Sequence, residues 1–160
     1  MKSRKNLIIG IFIIFVVIAL DTLVQTRVFS ALQEAKPIAI TPFFNFVEVW
    51  NHGISFGMFN NLVYGQWILS LFALAISVFL VRLLLRANNS FEALAYSLII
   101  GGAVGNMIDR VSHGAVADYL DFHAFGYHWP AFNVTDSAIF IGVAFLLILL
   151  GKRDRSVVLN

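Results

Sequence analysis

The hydrophobic positions of this chain form four long apolar stretches, and most polar residues lie between them. Their apolar cores cover residues 7–20, 65–85, 93–108 and 137–151. With its flanks, each approaches the ~20 residues that a helix needs to cross a bilayer. A chain inside lipid must satisfy its own backbone hydrogen bonds, so stretches of this length are predicted to be helices. The predicted membrane spans are residues 6–24, 63–86, 92–111 and 132–151.

The segments between the spans show other patterns. After Pro37 and Pro42, the run "FFNFVEVW" is rich in the aromatic and β-branched residues typical of strands, and "NHG" then indicates a turn. We predict a small β-hairpin or sheet over residues 40–60, resting on the membrane surface. Residues 112–131 contain "YLDFHAFGYHWPAF" and are predicted to be an interfacial loop, because aromatic rings favour the headgroup region.

Composition supports a membrane protein. The 160 residues are 59% hydrophobic and 12% charged, against roughly 25% charged in an average soluble domain. A soluble fold of this size cannot hide so much apolar surface, so we predict an all-α polytopic membrane protein with a single domain over residues 1–160. A net charge of +2 without a basic patch argues against nucleic-acid binding. The lack of cysteine excludes disulfides and thiolate metal sites.

Basic residues set the predicted orientation, because they concentrate on the cytoplasmic side of a membrane. Eight of them share one side if the N-terminus is cytoplasmic: Lys2, Arg4, Lys5, Arg82, Arg86, Lys152, Arg153 and Arg155. This predicts that both termini are cytoplasmic and that the polar chemistry lies at the extracytoplasmic face. The first span resembles a signal peptide but lacks a good small-residue cleavage site, so we predict that it is retained as a helix.

Carboxylates gather at the extracytoplasmic edge of the predicted spans. Counting ~20 residues per span places Asp109 and Asp136 about one turn below the surface, where an ionised carboxylate is costly unless it is paired or hydrated. Arg110 is a ready partner, and Asp118 lies in a short glycine-containing segment that could return to face Asp136. Two close carboxyls share a proton, so that one can activate water while the other donates to a carbonyl oxygen. This predicts aspartic-peptidase chemistry, with Asp109 and Asp136 as the deep pair by spacing and Asp118 as a further candidate. Three other acids are predicted to be solvated: Glu34, Glu48 and Asp121.

Two other classes of function fit parts of this pattern. A small proton-coupled transporter would use membrane acids as a proton relay, although such proteins usually carry charges near mid-membrane and often have inverted repeats. A non-catalytic assembly protein would use the GxxxG of Gly101 and Gly105 for helix packing. No metal or cofactor is predicted, because the histidines lack a recognisable ligand spacing. These histidines are His52, His113, His123 and His128.

Four motifs follow one another along nearly the whole chain. They are "DTLVQ" from Asp21, "VEVWNHGISFGMF" around Asn51, Gly53 and Phe56, "GGAVGNMIDRVSHGAVADYLDF", and "FNVTDSAI". In this order, on four predicted helices, they resemble the motifs of the lipoprotein signal peptidase (signal peptidase II) family. The third motif is the closest match.

The resemblance implies a membrane aspartic endopeptidase of the bacterial cytoplasmic membrane. Such an enzyme removes the signal peptide of diacylglyceryl-modified prolipoproteins by cutting before the lipidated cysteine, and the cyclic peptide globomycin inhibits it. The resemblance assigns the catalytic pair to Asp118 and Asp136 and gives Asp109 a supporting role. The residues expected to bind substrate or support the pair are Asp21, Asn51, Gly53, Asn106, Asp109, Arg110 and Asn133. The expected partners are the prolipoprotein and membrane lipid, and a monomer is sufficient.

Four positions depart from the family pattern, and two of them, His52 and Ser55, vary within the second motif, which keeps Asn51, Gly53 and Phe56. Gln25 stands where the first motif usually has lysine, and Thr135 stands where alanine usually precedes the catalytic aspartate. None of these changes removes the catalytic pair, so we predict an active enzyme, and the Thr135 hydroxyl is expected to form local hydrogen bonds.

Overall fold

Four long helices form the body of the protein. The computed structural model describes residues 2–32, 36–53, 64–87 and 89–158. The helices are α1 (Lys2–Ala31), α2 (Gly65–Leu85), α3 (Ser90–His113) and α4 (Val134–Val158), and each is long and apolar enough to cross a membrane. The prediction of four spanning helices is confirmed. α1 is longer than predicted because the chain stays helical through the polar residues that follow its apolar run; its 30 residues extend roughly 45 Å.

α3 is the central helix, packed against the other three and more buried than any of them. Small residues allow this close approach. A Cβ atom on Gly101 would lie 3.0 Å from Val17 of α1, and one on Gly102 would clash with the backbone oxygen of Thr135 in α4. The helix begins at Asn89, whose side chain accepts a 2.8 Å hydrogen bond from the Glu92 amide. It is followed by Gly114, whose φ of 80° permits the sharp turn into the next strand.

Four antiparallel strands form a sheet at the end of the bundle where α1 and α3 finish. In spatial order they are β1 (Ile38–Thr41), β2 (Phe44–Asn51), β3 (Val116–Ala124) and β4 (Tyr127–His128). Residues 112–131, expected to be a loop, thus supply half of the strands. A lone two-stranded hairpin is marginally stable in water, and β3 gives β2 its second partner. Glu34 and residues 54–60, including Phe56, lie outside the described residues.

A β-bulge in β2 orients the side chains that approach the bundle. Phe46 pairs with Leu120 and Val49 pairs with Asp118, so β2 has one more residue than β3 between these pairs. Because side chains alternate between the two faces of a strand, the extra residue places Asn51 on the same face as Asp118. Without the bulge, Asn51 would point to the opposite face.

The sheet is fixed to the bundle through β3. Tyr119 is fully buried and packs with Val28 and Leu32 near the end of α1. The backbone of Leu120 also exchanges hydrogen bonds with Phe132, just before α4 begins. These contacts hold the middle of β3, and therefore Asp118, beside the first turn of α4.

Candidate active site

Asp118 lies on β3 and is almost completely buried, with 2% of its surface exposed. Two amide side chains donate hydrogen bonds to its carboxyl group: Asn51 from β2 at 3.1 Å and Asn133 from the start of α4 at 3.0 Å. Each amide bonds a different carboxyl oxygen, so the orientation of the group is fixed from two elements.

Asp136 lies in the first turn of α4 and faces the same space. The side chain of Asn106, about two turns before the end of α3, donates a 2.8 Å hydrogen bond to the Asp136 carboxyl group. The Asp136 amide donates to the Asn133 side chain at 2.7 Å, which caps the helix. Asn133 therefore contacts both acidic residues. Its NH₂ group donates to the Asp118 carboxyl group, and its side-chain oxygen accepts from the backbone amide of Asp136.

The two carboxyl groups interact with each other, and both line one cavity of about 1000 Å³. Burial raises the pKa of Asp118 to about 8, with a further contribution from the charge of Asp136. At neutral pH the pair can thus hold one proton between two acids. A second cavity, of about 230 Å³ between α2 and α3, also reaches Asn51 and Asp136.

Asp109 and Arg110 support this pair from the end of α3. The Asp109 carboxylate accepts a 3.1 Å hydrogen bond from the amide of Ala117, the residue before Asp118. Arg110 donates to the carbonyl oxygen of Gly53 at 2.8 Å, which ties the end of β2 to α3. Asp109, the candidate favoured by spacing, lines neither cavity. Asp118 is therefore the candidate that shares a cavity with Asp136.

Asp21 reaches the site from α1 through a residue that the sequence reasoning missed. The Tyr119 hydroxyl donates a 2.8 Å hydrogen bond to Asp21 and accepts one of 3.2 Å from the Val134 amide. Asp21 also accepts a 3.3 Å hydrogen bond from the Thr135 amide. Burial and the nearby Asp21 raise the pKa of Tyr119, which therefore remains a donor. Asp21 and Tyr119 thus accept hydrogen bonds from the first backbone amides of α4, next to Asp136.

The hydroxyl group of Thr135 forms the local hydrogen bonds expected of it. Its oxygen lies 2.7 Å from the side-chain oxygens of both Asn106 and Asn133. A single O–H group donates to one acceptor at a time, so the hydroxyl links the two asparagines that hold the acids. Gln25 lies on α1, and nothing in the structure assigns it a part in the site.

The prediction that Asp121 is a solvated acid is wrong. Asp121 is 6% exposed and accepts a 2.8 Å hydrogen bond from the Asn45 side chain. The His128 ring lies 2.8 Å from the same carboxylate. Burial opposes ionisation, but these hydrogen bonds prevail and hold the pKa of Asp121 below its ordinary value. Glu48 is half-buried and accepts a hydrogen bond from Trp50.

The histidines lie apart from the two carboxylates of the cavity. His52 is exposed at the end of β2, the His113 ring lies 5.3 Å from the ring of Trp50, and His123 stacks on His128. Over the described part of the chain, no three histidine or acidic side chains form a cluster able to hold a metal ion.

The sequence and the fold both match known proteins. The family profile described as "Signal peptidase (SPase) II" matches residues 13–151. A lipoprotein signal peptidase of Serratia marcescens is 42% identical over 143 residues, covering 86% of this chain and 83% of the relative. One from Polynucleobacter necessarius subsp. necessarius is 37% identical over 158 residues, covering 98% and 95%. A bacterial membrane enzyme solved by the in meso method at 2.3 Å has a TM-score of 0.80 and 30% identity, covering 89% of this chain and 87% of that one.

Proposed function

The chain belongs to the signal peptidase II family and is a membrane peptidase, and we propose that Asp118 and Asp136 are the catalytic pair that removes the signal peptide from diacylglyceryl-modified prolipoproteins. The observation that carries this proposal is their position. One buried and one half-buried carboxyl group, Asp118 and Asp136, come from different elements, interact and line one large cavity. The transporter alternative has no support from the similar proteins.

The proposed reaction uses the proton that the two acids share. In the proposed reaction the shared proton starts on Asp118, whose pKa burial raises to about 8, and ionised Asp136 removes a proton from a water molecule. The water oxygen attacks the carbonyl carbon before the lipidated cysteine while Asp118 donates its proton to the carbonyl oxygen. The C–N bond then breaks as Asp136 gives its proton to the cysteine nitrogen. A hydroxyl group of the tetrahedral intermediate returns a proton to Asp118 and becomes the new carbonyl oxygen. The products are a signal-peptide carboxylic acid and a free cysteine amine.

The cavity suits a substrate that is anchored in lipid. Its walls are mostly apolar, and one side is formed by residues 137 and 139–141 of α4. Phe140 is 77% exposed and Ile141 is 43% exposed on this spanning helix, so this side opens laterally toward lipid. The acyl chains of a diacylglyceryl cysteine can therefore stay in the bilayer while the scissile bond reaches the two aspartates. We expect globomycin to occupy the same cavity, and a monomer to be active because both acids come from one chain.

The test of this function is a matched pair of substrates. Purified protein in detergent is given a prolipoprotein with a diacylglyceryl cysteine, and the same prolipoprotein with an unmodified cysteine. Mass spectrometry should find a mature product that begins at the lipidated cysteine, with little or no product from the unmodified form. The reaction should continue in EDTA. Equal cleavage of both substrates would contradict the proposed specificity, and loss of activity in EDTA would contradict a metal-free pair.

We further propose that the sheet and the catalytic pair lie at the extracytoplasmic face of the bacterial cytoplasmic membrane, with both termini in the cytoplasm. The distribution of basic residues supports this orientation. An alkaline phosphatase fused after the last residue should remain inactive in cells, and an active fusion would reverse the assignment.

The proton on Asp118 makes the activity depend on pH. A carboxyl group with a pKa of about 8 is protonated below that pH and ionised above it. Because the proposed reaction needs one protonated acid, kcat/KM should fall about tenfold per pH unit above pH ~8. The raised pKa also affects stability, because between pH ~4 and pH ~8 folded Asp118 keeps a proton that the unfolded chain has lost. The contribution of this proton to the free energy of unfolding is complete below pH ~4 and disappears as the pH rises to ~8. A kcat/KM profile that stays flat to pH 10 would contradict the assignment.

Replacing Tyr119 with phenylalanine removes the hydroxyl group that accepts a hydrogen bond from the start of α4. The change leaves the Val134 amide without its acceptor and Asp21 without one of its donors, which should cost about 1–3 kcal/mol. We expect kcat to fall about tenfold with little change in KM, because the position of Asp136 is disturbed but the cavity is not. Tyr127→Phe is the control, since Tyr127 is 82% exposed. A lower unfolding temperature with unchanged kcat would limit Tyr119 to a structural role.

A further inference from the structure

The side chain of Thr135 lies between α3 and α4 and is completely buried. A Cβ atom on Gly105 would clash with the Thr135 methyl group, so this methyl group fills the space that the glycine leaves on α3. The methyl and hydroxyl groups of threonine share one Cβ atom, so placing one of them determines the direction of the other. With its methyl group against Gly105, Thr135 directs its hydroxyl group to Asn106 and Asn133.

Backbone groups determine the orientation of the Asn133 amide. Its side-chain oxygen accepts a 2.7 Å hydrogen bond from the Asp136 amide, and its NH₂ group donates to the Ala117 carbonyl oxygen at 3.2 Å. A backbone N–H group only donates and a backbone carbonyl group only accepts. The NH₂ group of Asn133 therefore faces Ala117 and Asp118 whether or not Thr135 is present.

Side chains determine the orientation of the Asn106 amide. Its NH₂ group donates to the Asp136 carboxyl group at 2.8 Å, and its oxygen lies 2.7 Å from the Thr135 hydroxyl group. The NH₂ group of Asn133 is 3.5 Å from the same oxygen and already donates to Asp118 at 3.0 Å, so it is the weaker donor. Because the Asn133 oxygen already accepts from the Asp136 amide, the single hydrogen of the Thr135 hydroxyl group is directed to Asn106.

The orientation of the Asn106 amide matters for the reaction because Asp136 is the proposed base. A carboxylate accepts hydrogen bonds and does not donate them. Ionised Asp136 therefore needs the NH₂ group of Asn106 beside it, and the oxygen of the same amide would repel it. The donor on the far side of the amide, Thr135, keeps that oxygen turned away from Asp136.

We propose that Thr135 is a positioning residue for the peptidase reaction, which acts through Asn106. Its hydroxyl group holds the NH₂ group of Asn106 toward Asp136, so that the carboxylate stays directed at the attacking water. The proposal rests on the catalytic roles proposed for Asp118 and Asp136.

Three variants at position 135 separate the hydroxyl group from the methyl group. Thr135→Ser removes the methyl group, Thr135→Val replaces the hydroxyl group with a second methyl group, and Thr135→Ala removes both. kcat and KM are measured with the purified full-length protein and a prolipoprotein that carries a diacylglyceryl cysteine.

The kcat of Thr135→Ser should stay within about threefold of the unmodified protein, because the hydroxyl group is kept. The kcat of Thr135→Val should fall about tenfold or more with KM changed less than about threefold, because the Asn106 oxygen then faces an apolar group. Thr135→Ala should fall between them, because the space that it leaves admits a water molecule, which can donate to the asparagine oxygens.

The opposite order, with Thr135→Val fully active and Thr135→Ser impaired, would overturn the proposal, because packing against Gly105 would then be the role of Thr135. If Thr135→Val does not fold, equal losses of kcat in Thr135→Ser and Thr135→Ala would overturn it.

A double-mutant cycle tests whether Thr135 acts through Asn106. In an Asn106→Ala background, Thr135→Val should change kcat by less than about threefold, because the amide that it orients is gone. A further tenfold loss in that background would overturn the proposal. Asp136→Asn is measured in parallel, and full activity of this variant would contradict the catalytic pair itself. An inactive Asp136→Asn beside a fully active Thr135→Val would contradict only the role of Thr135.

Discussion

Replacing either Asp118 or Asp136 with asparagine is expected to lower kcat/KM for signal-peptide release by about 10³-fold or more, because each acid handles a proton in the transition state. Asparagine keeps the size of the side chain but cannot take up or release the proton. The variants should fold, because the amides around the site can still donate to the new carbonyl oxygen. For Asp118→Asn the unfolding temperature above pH 7 should rise, since the cost of ionising a buried acid with a raised pKa is removed.

The matched control is Asp121→Asn, three residues further along the same strand. Asp121 is also buried, but its partners are Asn45 and His128 on the other side of β3. We expect this variant to keep kcat/KM within about threefold of the unmodified protein and to lose some stability. A loss as large as that of Asp118→Asn would show that the assay detects damage to the sheet and not the chemistry.

Replacing Gly102 with alanine is expected to have the second largest effect. The new Cβ atom would meet the backbone oxygen of Thr135 and lie 2.6 Å from Ile139. The Thr135 oxygen belongs to the α4 backbone and cannot move aside alone, so the two helices must separate near Asn106 and Asp136, which are joined by a 2.8 Å hydrogen bond. We expect a stability loss of about 1–3 kcal/mol and a fall in kcat/KM of about tenfold to a hundredfold.

Gly151→Ala in α4 is the control for this change, because a Cβ atom there has nothing within 4 Å. It should leave activity and the unfolding temperature unchanged. If Gly102→Ala behaves in the same way, close packing of α3 and α4 does not set the position of Asp136.

The sequence predicts the spanning helices well because a single physical requirement determines them. Each span must be long and apolar and must satisfy its own backbone, and this information is local. The strand β3 was missed for the opposite reason. "VADYLDFHA" pairs with a segment more than sixty residues earlier in the chain, and its alternation is hidden because residues on both sides are buried near Asp118.

The candidate site was only partly predictable. Counting residues along the helices placed Asp109 and Asp136 at the same end of the bundle, near the end of α3 and the start of α4. Position along a helix does not show which way a side chain points. The turn at Gly114 and the pairing of β3 with β2 direct Asp109 to the Ala117 amide and Asp118 to the cavity. Tyr119 was missed because its role depends on Asp21 of α1 and the start of α4 meeting beside a strand. Asp121 was misjudged because its burial depends on the fold of the hairpin.

The central claim is that Asp118 and Asp136 act as one unit that shares a proton. The most direct test measures kcat/KM for signal-peptide release by Asp118→Asn, by Asp136→Asn and by the double variant, with the diacylglyceryl substrate. If the acids act together, the double variant should be within about threefold of either single variant, because the first substitution already removes the shared function. Losses that multiply in the double variant, or a single variant with full activity, would contradict the claim.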